Sequence, residues 1–230
     1  MTAMRSRDPQ AALHSKASVV VELLREVYGR QTPTQRLSPT DSLVATILSQ
    51  HTSDRNSHAA FLRLKRRFRR WSEVLEVAPK ELSEVIRCAG LANIKAVRIQ
   101  AALQSIEVRF GAPDLDFLRT TDMHDAREIL LSLPGVGPKT AACVLLFACG
   151  QPALPVDTHV HRVSKRLGLI GPRDSADKAH DVLEALIPAE DVYDFHVNLI
   201  AHGRKVCQAR IPRCAECALR PHCNFYHQLP

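Results

Sequence analysis

Leu131–Ala142 reads LSLPGVGPKTAA. An apolar helix over 123–132 ends near Leu133, and Gly135-Val136-Gly137 then turns the chain sharply. Pro138 falls at the first position of the next helix, where a missing N–H costs nothing. Glycines permit positive φ and let backbone amides approach an anion closely. The start of the second helix adds the positive end of its dipole. The stretch suits a phosphate cradle, and it suits an ordinary turn between two packed helices.

Lys139 lies in the first turn of that second helix, where the dipole disfavours a charged ammonium. A neutral amine is a nucleophile able to form a Schiff base. Eighteen residues further on, Val156-Asp157-Thr158-His159 opens another helix. Asp157 suits an N-cap. Close to Lys139, its carboxylate would also orient or deprotonate the amine, or stabilise a developing cation.

Outward from the hairpin, helical periods recur. Val20, Val21, Leu23, Leu24 and Val27 space a helix over Ser18–Tyr28. Thr32–Pro39 is a connector, and the next helix is expected to begin at Thr40 or Asp41. Further helices are expected over 56–70, 80–88, 93–109, 139–149, 158–168, 176–187 and 191–202. No alternating strand and no long-period repeat is found, so about ten helices with short links make an all-α protein. In the 56–70 helix, Phe61, Leu64 and Phe68 share one face, and Arg63, Arg66, Arg67 and Arg70 the opposite one. Lys65 and Arg69 flank them. The basic face is either a solvated surface or a set of phosphate contacts.

Cys207, Cys214, Cys217 and Cys223 form C-x6-C-x2-C-x5-C. Lys205, Arg210, Arg213, Arg220 and His222 surround them, so no apolar core is built there. Four soft thiolates suit Zn or an iron–sulfur cluster, and spacing alone does not separate the two. Cys88, Cys143 and Cys149 are scattered among apolar residues.

The 230 residues carry 45% hydrophobic and 24% charged side chains, which excludes wholesale disorder. The scarcity of glycine and aromatics argues against β architectures. The longest apolar run, Ala141–Cys149, falls well below the about 20 residues that cross a bilayer. Met1–Pro9 carries Arg5, Arg7 and Asp8 with no apolar segment, and is read as a loose tail rather than a secretory signal. A net charge of +7 favours a polyanionic partner, nucleic acid first.

Taken together, the sequence resembles the helix-hairpin-helix DNA glycosylases, endonuclease III above all. The resemblance rests on LPGVGPKTA at 133–141, PVDTH at 155–159, HGRKVCQARIPRCAECALRPHC at 202–223, ILSQHTSD at 47–54 and AGLANIKA at 89–96. It implies a two-part all-α fold. A six-helix domain over 38–150 ends in the hairpin. Residues 16–37 with 151–230 form an iron–sulfur domain, and 1–15 form a flexible tail. It implies Lys139 as Schiff-base nucleophile, Asp157 as catalytic carboxylate, and Gly135, Val136 and Gly137 as the phosphate grip. Gln50 would fill the gap left by an extruded base, and Leu91 would wedge the opposite strand. Arg210 and Arg213 would face DNA, and the four cysteines would ligate a [4Fe–4S] cluster. The implied activity is removal of oxidised pyrimidines with AP lyase nicking by β-elimination. The implied partner is double-stranded DNA with damaged bases or abasic sites, bound by a monomer in the cytoplasm, at the nucleoid, with no membrane. Glycosylases for another lesion or a mismatch, and non-catalytic DNA-binding relatives, are the alternatives. Three features depart from the family pattern: a longer stretch between Lys95 and the hairpin, Ile211 where a basic residue is common, and Ser53 before Asp54. Adenine-specific relatives generally lack the hairpin lysine and carry a further C-terminal recognition domain, so Lys139 and the short stretch after Cys223 make that reading less expected.

Overall fold

The computed structural model describes residues 8–33 and 36–229. In chain order its helices are α1 (Pro9–Tyr28), α2 (Pro39–Ser49), α3 (Asp54–Arg67), α4 (Trp71–Leu75), α5 (Pro79–Val85) and α6 (Ala92–Phe110). They continue with α7 (Met123–Leu131), α8 (Pro138–Cys143), α9 (Thr158–Leu167), α10 (Ala176–Leu186), α11 (Val192–Lys205) and α12 (Asn224–His227). Short 3-10 turns punctuate them, and α8 runs on as a π-helical segment, Val144–Cys149. No strand occurs among the described residues, and no helix there is long and apolar enough to cross a membrane. The fold is all-α, as the helical periods indicate.

The chain divides into two compact units, Thr34–Ala153 and Met1–Pro33 with Leu154–Pro230. In the first, α2 packs against α3, α6 and α8, and α5 packs along α6. Leu43, Ile47 and Leu48 of α2 meet Ile99, Leu103 and Ile106 of α6 in one fully buried cluster. Each such side chain contributes roughly 1.5–3 kcal/mol of burial. In the second unit, α11 packs on α1 and α9, and α12 on α9. Arg25 of α1 binds Asp194 at 2.6 Å and Asp191 at 2.5 Å, fixing α1 to the start of α11.

Helix starts follow their caps. Ser38, Ser53, Asp122, Asp157 and Ser175 each accept an amide two or three residues on. Caps also explain where the elements depart from expectation. The tail expected over 1–15 gives way to α1 at Pro9, because Asp8 accepts the Gln10 amide and Pro9 suits the first helical position. Residues 1–7 of that expected tail lie outside the described residues. Likewise α2 starts at Pro39 under Ser38, not at Thr40 or Asp41. Ser53 caps α3, accepting the Asn56 amide. The helix expected over 56–70 stops at Arg67, and Phe68 turns extended to stay buried. A separate short helix, α4, follows.

Candidate active site

The hairpin residues sit in the Thr34–Ala153 unit. Beyond α7, the Val136 amide donates to the Leu133 carbonyl at 3.2 Å, closing the turn. Gly135 adopts φ 76°, a left-handed conformation that an L side chain resists. Gly137 caps α8 in extended conformation, φ −103° and ψ 178°, so its backbone needs no glycine. Val136 points into the core and is buried. Its side chain anchors the turn, leaving the backbone of the flanking glycines at the surface. Pro138 opens α8, and Lys139 follows it, half-buried, in the first turn.

Gln50 ends α2, and Leu91 precedes α6 with φ 49°. Leu91 is 53% exposed, unusual for so large an apolar side chain held in left-handed backbone. Arg98 of α6 joins two of these elements: Nη1 donates to Gln50 Oε1 at 3.1 Å, and its stem lies 3.4 Å from where a Cβ on Gly135 would stand. Sequence reasoning missed Arg98, since a lone arginine on a helix carries no motif.

Asp157 belongs to the other unit. Its Oδ1 accepts the His159 and Val160 amides at 2.8 and 2.7 Å, so the carboxylate is oriented by α9. Oδ2 is not part of this cap.

The four C-terminal cysteines line one small pocket with Val206, Pro212, Phe225 and Tyr226. None is in a disulfide. Burial pushes the Cys217 thiol up to about 11, with the charges of Cys207, Cys223 and Cys214 adding to the effect. Burial raises Cys223 as well. Arg166 Nη1 donates to Cys207 Sγ at 3.3 Å and to the Gln208 carbonyl at 2.7 Å, and its guanidinium lies over Phe225. His202 Nε2 lies 3.5 Å from Cys217 Sγ, and its Nδ1 meets Tyr28 Oη at 3.1 Å. Among the described residues, no three His, Cys, Asp or Glu side chains are gathered as ligands of a single ion. The donor set fits an iron–sulfur core: soft thiolates that repel one another are stabilised by a cationic centre between them. Arg166 and His202, which contact the sulfurs, lie outside the cysteine motif and were not legible from it.

Arg210, Arg213 and Ile211 are all exposed on the loop between Cys207 and Cys214, with Ile211 at 79%. Arg213 stays 3.9 Å from Glu216, a loose exposed pair. On α3 and just beyond it, carboxylates take up part of the basic stripe. Lys65 binds Asp41 at 3.0 Å, Arg67 binds Glu81 at 2.7 Å, and Arg70 binds Glu73 at 3.2 Å. Arg63 and Arg66 remain exposed.

Residues 44–189 match the model of the HhH-GPD superfamily base excision DNA repair proteins. Endonuclease III of Thermotoga maritima is 34% identical over 211 residues, 91% of this chain and 94% of that protein. Among solved structures, a non-covalent endonuclease III–DNA complex aligns with TM-score 0.80 and 30% identity, over 94% of this chain and 97% of that one. A trapped endonuclease III–DNA covalent intermediate, an estranged-adenine complex, aligns with TM-score 0.79 and 30% identity over the same shares. The chain belongs to the HhH-GPD superfamily of base excision DNA repair proteins.

Proposed function

We propose that this protein is a base excision repair glycosylase and AP lyase that removes oxidised pyrimidines from double-stranded DNA. The observation that carries the reading is Lys139, placed at the start of α8 behind a left-handed glycine turn; the Asp157 carboxylate, oriented by the α9 cap in the other unit, supports it separately. The lesion first leaves the stack, at a cost of a few kcal/mol that is smallest for a poorly stacked base. A non-planar oxidised pyrimidine stacks badly and is therefore selected. Gln50 fills the vacated space and Leu91 wedges the opposite strand. The Gly135-Val136-Gly137 turn holds a phosphate through the Gly135 and Gly137 amides, the Val136 amide being used to close the turn on Leu133, and Arg210 and Arg213 add contacts to the DNA backbone.

The Lys139 amine, deprotonated, attacks C1′ as the glycosidic bond breaks and the base departs with its electron pair and takes up a proton. Asp157 stabilises the oxocarbenium-like charge on the sugar and receives the amine's proton. Ring opening yields an imine between Lys139 and C1′. Loss of the C2′ proton drives those electrons toward the imine and expels the 3′ phosphate, which nicks the strand. Water then hydrolyses the imine and frees the enzyme.

The cofactor is a [4Fe–4S] cluster on Cys207, Cys214, Cys217 and Cys223. When bound it supplies a cross-link that shapes the Arg210–Arg213 loop. The protein acts as a monomer at the nucleoid in the cytoplasm. A panel of duplexes, each with one lesion, tests the reading by base release and strand nicking. Oxidised pyrimidines should be released fastest, with nicking. Preference for another lesion or a mismatch would replace the substrate, and binding without release of any base would overturn the enzymatic reading.

A further inference from the structure

Lys95 of α6 is 1% exposed, within the apolar core of its unit. Its Nζ donates to the Leu48 carbonyl at 2.7 Å and the Ala89 carbonyl at 2.8 Å. Burial pushes its pKa below the ordinary lysine value. An ammonium buried against carbonyls rather than a carboxylate is costly; a methionine would fill the same space without that cost but would leave both buried carbonyls bare. Packing alone therefore does not explain the lysine.

The two acceptors are telling. Leu48 lies in the last turn of α2, two residues before Gln50. Ala89 closes the 3-10 turn Arg87–Ala89, two residues before Leu91. Both carbonyls stand at helix ends, where backbone oxygens lack intrahelical partners and carry partial negative charge. Beyond each, the chain enters left-handed backbone, at His51 (φ 52°) and at Leu91 (φ 49°). These are the only two non-glycine residues with positive φ among the described residues. One lysine thus ties together the two strained segments.

We propose that Lys95 is a positioning residue for base extrusion, fixing the backbones of Gln50 and Leu91 at one spacing so that both side chains enter the opened duplex together. The inference rests on the glycosylase reading and on the gap-filling roles of Gln50 and Leu91. Lysine suits the task because its compact ammonium offers three donors that rotate to two diverging carbonyls, on a stem long enough to cross the core. Neither carbonyl belongs to a gap-filling side chain, so Lys95 acts through backbone alone.

The test compares wild type with Lys95→Met, which keeps the volume and removes the donors. Amide hydrogen exchange should quicken in 48–51 and 89–92 and stay unchanged in the hairpin, 133–141. Base release from a well-paired lesion duplex should fall about 10- to 100-fold, the scale of a small misplacement at a reacting site. The deficit should shrink to about threefold or less when the lesion stands in a mismatch, where extrusion is cheap. In a Leu91→Ala background, Lys95→Met should add little, because coupled residues are non-additive. Equal losses on matched and mismatched duplexes, or full additivity with Leu91→Ala, would overturn the proposal. If Lys95→Met does not unfold cooperatively, Lys95→Gln carries the same comparison. A wild type that releases no base from any duplex refutes the glycosylase reading instead, and the exchange comparison still judges the clamp.

Discussion

The Asp157 carboxylate accepts the Val160 amide at 2.7 Å through the oxygen that also takes the His159 amide. The side chain caps α9, and in the proposed mechanism it also stabilises the charge on the sugar; substitutions separate the two roles. Asparagine caps helices as well as aspartate does, whereas alanine does not. Asp157→Asn should unfold within about 0.5 kcal/mol of wild type, and Asp157→Ala about 1 kcal/mol lower. Both should lose base release by roughly two orders of magnitude or more, the scale of a lost acid–base group. Chemical denaturation and single-turnover release check the pair. Retained release in Asp157→Asn would confine the residue to its cap.

The two hairpin glycines should fail differently. Gly135 holds φ 76°, so Gly135→Ala should cost roughly 1–2 kcal/mol of stability. Gly137 is extended, and a Cβ there meets nothing within 4 Å. Gly137→Ala should leave thermal stability near wild type yet weaken DNA binding about tenfold, ~1.4 kcal/mol, if the turn holds a phosphate as proposed, because a methyl would crowd the backbone's approach to it. Equal stability losses at both positions would contradict this division.

A pH titration reads the buried lysine. Burial lowers the folded-state pKa of Lys95 below its ordinary value of 10.5. Between those two values the unfolded chain binds more protons than the folded one, so this residue's contribution to stability rises with pH. The stability of wild type relative to Lys95→Met should therefore increase with pH between the folded-state value and 10.5, and level off above it. Urea unfolding of both proteins across that range measures the gap. A gap that shrinks with pH would mean that the ammonium is the form favoured on folding.

The cysteine centre has its own outcome. Protein purified without chelators should be yellow-brown and contain iron and sulfide, because a [4Fe–4S] core absorbs visible light and Zn does not. Cys214→Ser should lose both and bind DNA poorly, with less effect on the chemistry of the complexes that do form. Stoichiometric Zn in a colourless protein would contradict the assignment.

Much of this was legible in local sequence. Helical periods, Pro138 after a glycine turn and Asp157 before Thr158 are short-range signals, and caps and dipoles act within a few residues. Boundaries were less legible where a cap competed with periodicity. Phe68 keeps the apolar period of α3 yet leaves the helix, since burying its ring outweighs one more turn. The basic stripe looked continuous until Asp41, Glu73 and Glu81 arrived from other elements. Lys95 and Arg98 were illegible for the same reason. Their partners, Leu48, Ala89 and Gln50, are brought to them only by the packing of α6, and two of the three contacts are to backbone.

In the proposed mechanism Lys139 bonds covalently to the sugar. Borohydride reduction of the imine measures this directly, on a duplex carrying an abasic site or an oxidised pyrimidine. Wild type should be trapped on the DNA, and Lys139→Gln should give neither trapping nor nicking while still binding the duplex. Trapping of Lys139→Gln at the wild-type rate would place the nucleophile elsewhere and contradict the account.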